Sequence, residues 1–279
     1  MKIIRSVSEM QKWSSTERRA GKSIGFVPTM GALHLGHAEL FSHSVTTNQR
    51  TVVSIFVNSL QFNNASDLEA YPRQLEQDCV IAERENVDVL FVPSHEEIYP
   101  EGFSSVISAG SIAEHMEGLH RPGHFDGVAT VVVKLLNCTM PDVAYFGQKD
   151  FQQLAVIRKI VHDLDMMCEI RSVATVRNEM GLALSSRNSR LSSDSVKHAP
   201  QIFVLLDEIA KMCQITKMSS RTIQEHFTTG IESNTAGTVE YVEIVDSLTL
   251  KPVPTAFEGT TICVAVWFDD VRLIDNISI

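Results

Sequence analysis

Short runs of β-branched and other apolar residues alternate along this chain with longer stretches in which apolar positions return every three or four residues. Over the first two thirds the short runs fall at residues 23–27, 51–57, 88–92, 143–146 and 169–176, each of strand length. Between them, residues 35–45, 68–86, 127–137 and 151–164 carry the spacing of helices with one buried face. Strands alternating with helices build βαβ units, and these build a parallel sheet covered by helices. Most of the runs are apolar along their length, as expected where both faces of a sheet are covered. The pattern predicts an α/β fold with a Rossmann-like parallel sheet.

The rhythm changes after residue 176. A loop rich in Ser, Asn and Arg at 184–193 leads to helical stretches at 200–214 and 221–232. Runs at 241–246, 261–267 and 271–274, separated by turn residues, then predict a small antiparallel sheet. Residues 1–176 are therefore expected to form the Rossmann-like domain and residues 177–279 a smaller α+β C-terminal domain. A chain of 279 residues is long enough for such a core and its attachment.

Composition narrows the classes of function. With 44% hydrophobic and 21% charged residues, disorder is excluded as the main state. Lys and Arg number 24 against 34 Asp and Glu, a net charge of −10 that does not suit a broad grip on nucleic acid. An anionic ligand must then be held by local charge. MKIIRSVSEM lacks the apolar region and cleavage site of a secretory signal, and no apolar run reaches the ~18 residues of a membrane span. Cys79, Cys138, Cys168, Cys213 and Cys263 have neither disulfide-framework nor CxxC spacing. A cytoplasmic protein with reduced thiols is expected, binding neither nucleic acid nor membrane.

Ligands in open α/β sheets sit at the carboxyl ends of strands, and four polar segments lie there. In FVPTMGALHLGHAEL, residues 26–40, a strand is expected to break at Pro28, pass Thr29, Met30 and Gly31, and enter a helix near Leu35. His34 and His37 share one side of its first turn, and Gly36 leaves room for a phosphorylated ligand to approach the backbone. The helix end adds N–H groups and partial positive charge. A lone histidine there reads as a cap, whereas two flanking a glycine after PTMG read as donors to a phosphorus centre. In SIFVNSLQF, residues 54–62, Asn58 and Gln61 offer amides that orient hydroxyls and a carboxylate without adding charge, although such amides are also common turn formers. In YFGQKDFQQL, residues 145–154, a strand ends at Gly147 and Asp150 suits a helix N-cap. Lys149 beside it either directs an ammonium over the strand ends or is a surface lysine. In GLALSSRNSRLS, residues 181–192, Ser185, Ser186 and Arg187 suit phosphate oxygens, the alternative being a linker. The KMSSR at Lys217 to Arg221 lies between two helical stretches, where Ser219 or Ser220 reads as an N-cap rather than as a phosphate loop.

PTMGALHLGH resembles the HxGH signature of the nucleotidyltransferase superfamily, and in particular that of the pantoate–β-alanine ligase (pantothenate synthetase) family. FVNSLQF is similar to the family's FVNPxQF, with Ser59 where Pro is usual. GQKD resembles the ATP-contacting segment, and GLALSSRN resembles GLAxSSRN, counterpart of the synthetases' mobile KMSKS loop, with Met180 just upstream where Asp is usual. RPGHFDGVATVVVKLLN, residues 121–137, is also similar and offers Arg121 and His124 as lining residues, whereas YPRQLEQD matches mainly in its Tyr-Pro-Arg.

The resemblance implies that ATP, pantoate and β-alanine give pantothenate, AMP and pyrophosphate through a pantoyl-adenylate. Mg²⁺ would be held mainly through the phosphates, with no protein ligand assigned; the enzyme would be a homodimer, its C-terminal domain a lid. It implies ATP contacts from Pro28, Thr29, Met30, Gly31, His34, Gly36, His37, Gly147, Gln148, Lys149, Asp150, Val176, Leu184, Ser185, Ser186 and Arg187. Met30, Asn58, Gln61 and Gln153 would contact substrate, and His34, His37, Lys149 and Arg187 would be catalytic, with His37 the proton donor. The alternatives are another HxGH-type nucleotidyltransferase, such as one forming a dinucleotide, or a nucleotide-binding homologue without activity.

Overall fold

The computed structural model describes residues 1–279 apart from the side chain of Ala65. The chain packs as two units, Met1–Gln148 with Val156–Ala174, and Lys149–Ala155 with Thr175–Ile279. In the first, strands β1 (Lys2–Ile4), β2 (Ile24–Thr29), β3 (Arg50–Ile55), β4 (Val89–Phe91), β5 (Val143–Gly147) and β6 (Glu169–Val173) form a parallel sheet in the order β1-β4-β3-β2-β5-β6. The intervening helices are α1 (Val7–Arg19), α2 (Leu35–Thr47), α3 (Ala65–Glu69), α4 (Leu75–Arg84), α5 (His95–Ile98), α6 (Glu117–His120), α7 (His124–Thr139) and α8 (Phe151–Asp163). One core cluster joins Val27, Val53, Leu90 and Tyr145 of the strands to Leu40 and Phe41 of α2, and another joins Phe125, Ala129 and Val133 of α7 to Val156 and Ile160 of α8.

The second unit adds α9 (Ser195–His198), α10 (Gln201–Ile215) and α11 (Ser220–Asn234) to an antiparallel sheet of β7 (Thr238–Asp246), β8 (Thr260–Phe268) and β9 (Val271–Ser278), with β8 in the middle. Its core packs Leu206 and Ile209 of α10, with Ile223, Phe227 and Ile231 of α11, against Ile262, Val264 and Val266 of β8. The Rossmann-like sheet and the smaller antiparallel sheet are both as predicted. No helix among the described residues is long and apolar enough to cross a membrane, and the structure contains no disulfide among the five cysteines.

Three local expectations are corrected. Strand β2 does not break at Pro28 but continues to Thr29, with Pro28 paired to Ser54. The ladder from β2 to β5 covers only Gly25 and Phe26, so the missing N–H of Pro28 costs no bond on that side. The helix expected over 68–86 is two helices, α3 and α4, because Pro72 between them cannot continue a helix. Strand β6 ends at Val173, leaving Val176 in the connection beyond it.

The divergence of β5 from β2 also marks where the sheet's connections reverse. From β2 the chain passes through α2 to β3 on one side, and from β5 through α8 to β6 on the other. Such a switch point leaves a crevice at the carboxyl ends of its two strands, and residues 28–34 lie at the end of β2.

Candidate active site

The HxGH turn opens α2 with a reciprocal cap. His34 is the N-cap; its Nδ1 accepts the Gly36 N–H at 3.1 Å, and His37 Nδ1 accepts the His34 N–H at 3.3 Å. The ring centroids are 4.1 Å apart. Because Nδ1 is the acceptor in both rings, the neutral imidazoles carry their hydrogen on Nε2. Two of the backbone N–H groups expected to serve an anion at the helix end are already bonded within the cap. The Gly36 N–H is taken by His34, and that of His37 bonds the His34 carbonyl at 2.8 Å. In that tautomer Nε2–H is the donor of each ring, close to the positive end of the helix dipole. The capping that the local reading expects of a lone histidine is here shared by both rings.

The turn before the cap is fixed from two sides. Thr29 Oγ1 donates to the Ser54 carbonyl at 2.7 Å and accepts the Gly31 N–H at 3.1 Å. Gly31 and Ala32 take the left-handed region, with φ of +83° and +50°. Asp78 on α4 accepts the N–H groups of Ala32 and Leu33 at 3.1 and 2.8 Å. Sequence reasoning missed Asp78. Its signal was a carboxylate on the same helix face as Leu75 and Ala82.

The amide pair is locked by donor and acceptor accounting. Asn58, 1% exposed, caps the 3-10 turn Ser59–Gln61; its Nδ2 donates to the Gly127 carbonyl and to Gln61 Oε1, both at 3.0 Å. Its Oδ1 accepts the Tyr99 hydroxyl at 2.7 Å. A carbonyl only accepts, so Gly127 fixes the Asn58 amide, and Asn58 in turn fixes Gln61 with Oε1 inward. Gln61 Nε2 then lies on the other side, 3.3 Å from Met30 Sδ, presenting donors. Burial raises the pKa of Tyr99, keeping its hydroxyl protonated.

His124 and Arg121, expected as lining residues, grip the Gln61 backbone. His124 Nδ1 donates to the Gln61 carbonyl at 2.8 Å and Arg121 Nη2 does so at 3.3 Å. Ser59 keeps the turn without the family's usual proline, its Oγ lying 3.1 Å from His95 Nε2. Gly147 ends β5, and a Cβ there would meet nothing within 4 Å.

The second unit holds the other candidates. Lys149 Nζ is 3.5 Å from Asp150 Oδ1, and the Lys149 carbonyl accepts from Asn276 Nδ2 at 2.9 Å. Gln153 follows in the first turn of α8. Leu184 N–H bonds the Val176 carbonyl, and Asn178 Oδ1 accepts from Met180 and Leu182, closing a tight turn. Met180 enters that turn through its backbone, its side chain half exposed. Arg177 at the base donates twice to Asp275, at 2.6 and 2.9 Å, and stacks on Phe203. Ser185 caps the 3-10 turn Ser186–Arg190 by accepting the Arg187 N–H at 3.2 Å. Adjacent residues of β9, Asp275 and Asn276, thus anchor both cation-bearing segments, although nothing in their sequence marks them. In KMSSR, Ser219 caps α11 by accepting the Thr222 N–H, as its local reading expected.

Pro28 to Gly31, His34, Gly36, His37, Asn58, Gln61, Gly147 and Gln148 therefore lie in the first unit. Lys149, Asp150, Gln153, Val176, Leu184, Ser185, Ser186 and Arg187 lie in the second. Among the described residues no group of three or more His, Cys, Asp or Glu is placed to hold a metal ion.

A parallel sheet open at a switch point, with an HxGH turn presenting two imidazole donors there, defines a nucleotide-binding α/β enzyme of the HxGH type. The pantoate-β-alanine ligase family profile matches residues 2–278. The pantothenate synthetase of Sulfurihydrogenibium is 44% identical over 278 residues, 99% of each chain, and that of Aquifex aeolicus is 44% identical over 98% of this chain and 97% of its own. The crystal structure of pantothenate synthetase from Thermus thermophilus aligns over 100% of this chain and 99% of its own, with a TM-score of 0.91 at 40% identity. The pantoate-β-alanine ligase of Francisella tularensis, complexed with β,γ-ATP and β-alanine, covers 100% and 97% with a TM-score of 0.84 at 38% identity. The chain belongs to the pantoate-β-alanine ligase family, whose members are ATP-dependent ligases.

Proposed function

We propose that this enzyme condenses pantoate with β-alanine by way of a pantoyl-adenylate, releasing pyrophosphate and then AMP. A carboxylate is a poor acylating agent because its leaving group is an oxide. Transfer of AMP to pantoate makes that oxygen part of a phosphate leaving group, and the β-alanine amine then attacks the acyl carbon. The first step needs in-line positioning and stabilisation of charge more than a covalent nucleophile. The reciprocal His34 and His37 cap carries the reading, since it supplies two fixed donors and the helix dipole in a single turn.

In this reading His34 and His37 hold the phosphates through Nε2–H, with His37 the proton donor, while Pro28 to Gly31, Gly36, Gly147, Gln148 and Asp150 line the nucleotide. Lys149, Ser185, Ser186 and Arg187 stabilise the charge that develops on the phosphates, and Val176 and Leu184 contact ATP from the loop. Gln61, Gln153 and Met30 orient pantoate; Asn58 acts through Gln61, because its own side-chain atoms are engaged within the protein. Mg²⁺ accompanies ATP through the phosphate oxygens. The same reading places the enzyme in the cytoplasm as a homodimer.

Pantoate-dependent exchange of labelled pyrophosphate into ATP, run without β-alanine, tests the adenylate. Exchange is expected; its absence in enzyme that makes pantothenate would overturn the reading, and exchange without pantoate would indicate a different nucleotidyltransferase. His37→Ala or Lys149→Ala is expected to lower the exchange kcat by about a hundredfold, the effect of one preorganised donor. Near-normal turnover would remove that residue from the mechanism.

A further inference from the structure

We propose that Asp78 is a positioning residue for the adenylation step, setting the turn from which the HxGH histidines project. The proposal rests on the reading of His34 and His37 as phosphate donors. Asp78 is 1% exposed, and both its oxygens accept consecutive backbone N–H groups, those of Ala32 and Leu33. No Lys, Arg or His among the described residues forms an ion pair with it. A buried carboxylate costs free energy unless it is well bonded, and here its bonds all go to one turn.

That turn is one the chain would not adopt readily. Ala32 has a φ of +50°, a region that penalises a residue with a Cβ. Gly31 before it has a φ of +83°, and a Cβ on it would lie 3.0 Å from Asp78 Oδ2 and from Ile55 Cγ2. The carboxylate holds Ala32 in the left-handed region and places Leu33 directly before the N-cap. The N-cap His34 is the next residue, so a relaxed turn would move the cap and both imidazoles together.

Asp78→Asn keeps the shape but leaves one oxygen for two donors and turns an NH₂ group toward an N–H. The expected result is a ten- to hundredfold lower kcat for pantoate-dependent exchange, as for a misplaced catalytic group, with the Mg²⁺ dependence unchanged. Adding Ala32→Gly to that variant is expected to recover at least about fivefold, because glycine tolerates positive φ without cost. A merely structural role predicts the reverse, since glycine at this position would only loosen the fold further. Unchanged kcat in Asp78→Asn, no recovery with Ala32→Gly, or a shifted Mg²⁺ requirement would each overturn the proposal. Hydrogen exchange on the unmodified enzyme covers the case in which the variant does not fold. The Ala32 and Leu33 amides should be strongly protected, and fast exchange would refute the pinning. His37→Ala measured in parallel separates the two ideas. If it retains turnover the phosphate-donor reading fails, whereas if it is impaired and Asp78→Asn is not, only the role of Asp78 fails.

Discussion

Replacing Gly127 by alanine perturbs the turn that carries Gln61, proposed to orient pantoate, without touching any of its side chains. A Cβ at position 127 would stand 2.4 Å from the Leu60 carbonyl oxygen, 2.6 Å from its carbon and 2.8 Å from the Gln61 nitrogen. These are backbone atoms, so relief requires α7 and the turn to part by roughly 1 Å to reach ordinary contact. That separation breaks the bond from Asn58 to the Gly127 carbonyl and strains the grip of His124 on the Gln61 carbonyl. Overpacking costs about 1–3 kcal/mol, and each lost internal hydrogen bond about 1 kcal/mol, so the first unit should lose roughly 3 kcal/mol. At about 2–4 °C per kcal/mol this is a fall in Tm of about 6–12 °C. Catalysis should suffer more, because a 1 Å misplacement of a binding group is worth about a hundredfold. Thermal denaturation and steady-state kinetics with pantoate varied are the assays, with kcat/KM for pantoate expected to fall by about two decades. A Gly127→Ala enzyme with unchanged Tm and unchanged pantoate kinetics would refute the claim that this close approach positions Gln61.

Removing the Tyr99 hydroxyl with Tyr99→Phe leaves Asn58 Oδ1 with only the long Leu60 N–H bond, so kcat/KM for pantoate should fall about fivefold, the worth of about 1 kcal/mol; equal falls for ATP and β-alanine would argue against a pantoate-specific effect. Asp275→Ala strands Arg177 half-buried at the base of the Ser185 loop and should cost about 3 kcal/mol or more, seen as an early unfolding transition in denaturant, whereas an unchanged midpoint would show that the pair is dispensable. Burial pushes the Cys138 thiol up to about 11, so at pH 8 only about one in a thousand is thiolate. Peptide mapping after brief alkylation should find Cys138 unmodified in native enzyme and modified in urea, and rapid native labelling would contradict its burial.

The parallel sheet and both strand-to-helix turns were readable because their causes are local. A run of β-branched residues, a glycine and a helical period lie within about a dozen positions of each other. What escaped depended on partners distant in sequence. Strand β1 is three residues long and exists through its pairing with β4, 87 residues away. Asp78 and Tyr99 reach the Leu33 and Asn58 turns because α4 and the segment after α5 bring them there, and neither lies in a motif beside the residue it bonds. Arg121 and His124 were noticed, but their action on the Gln61 carbonyl needs the folded turn. Pro28 illustrates the opposite error. Its local rule ends a strand, and only the early end of the β2–β5 ladder shows why it is tolerated.

Transfer of oxygen from pantoate to AMP tests the adenylation claim most directly. Pantoate carrying ¹⁸O in its carboxylate is incubated with ATP, β-alanine and enzyme, and the phosphorus products are separated and weighed by mass spectrometry. One labelled oxygen should appear in AMP and none in pyrophosphate, because the carboxylate oxygen becomes the bridge to the α-phosphorus and leaves with it. Label in orthophosphate, with ADP as the nucleotide product, would contradict the mechanism and require an acyl phosphate instead.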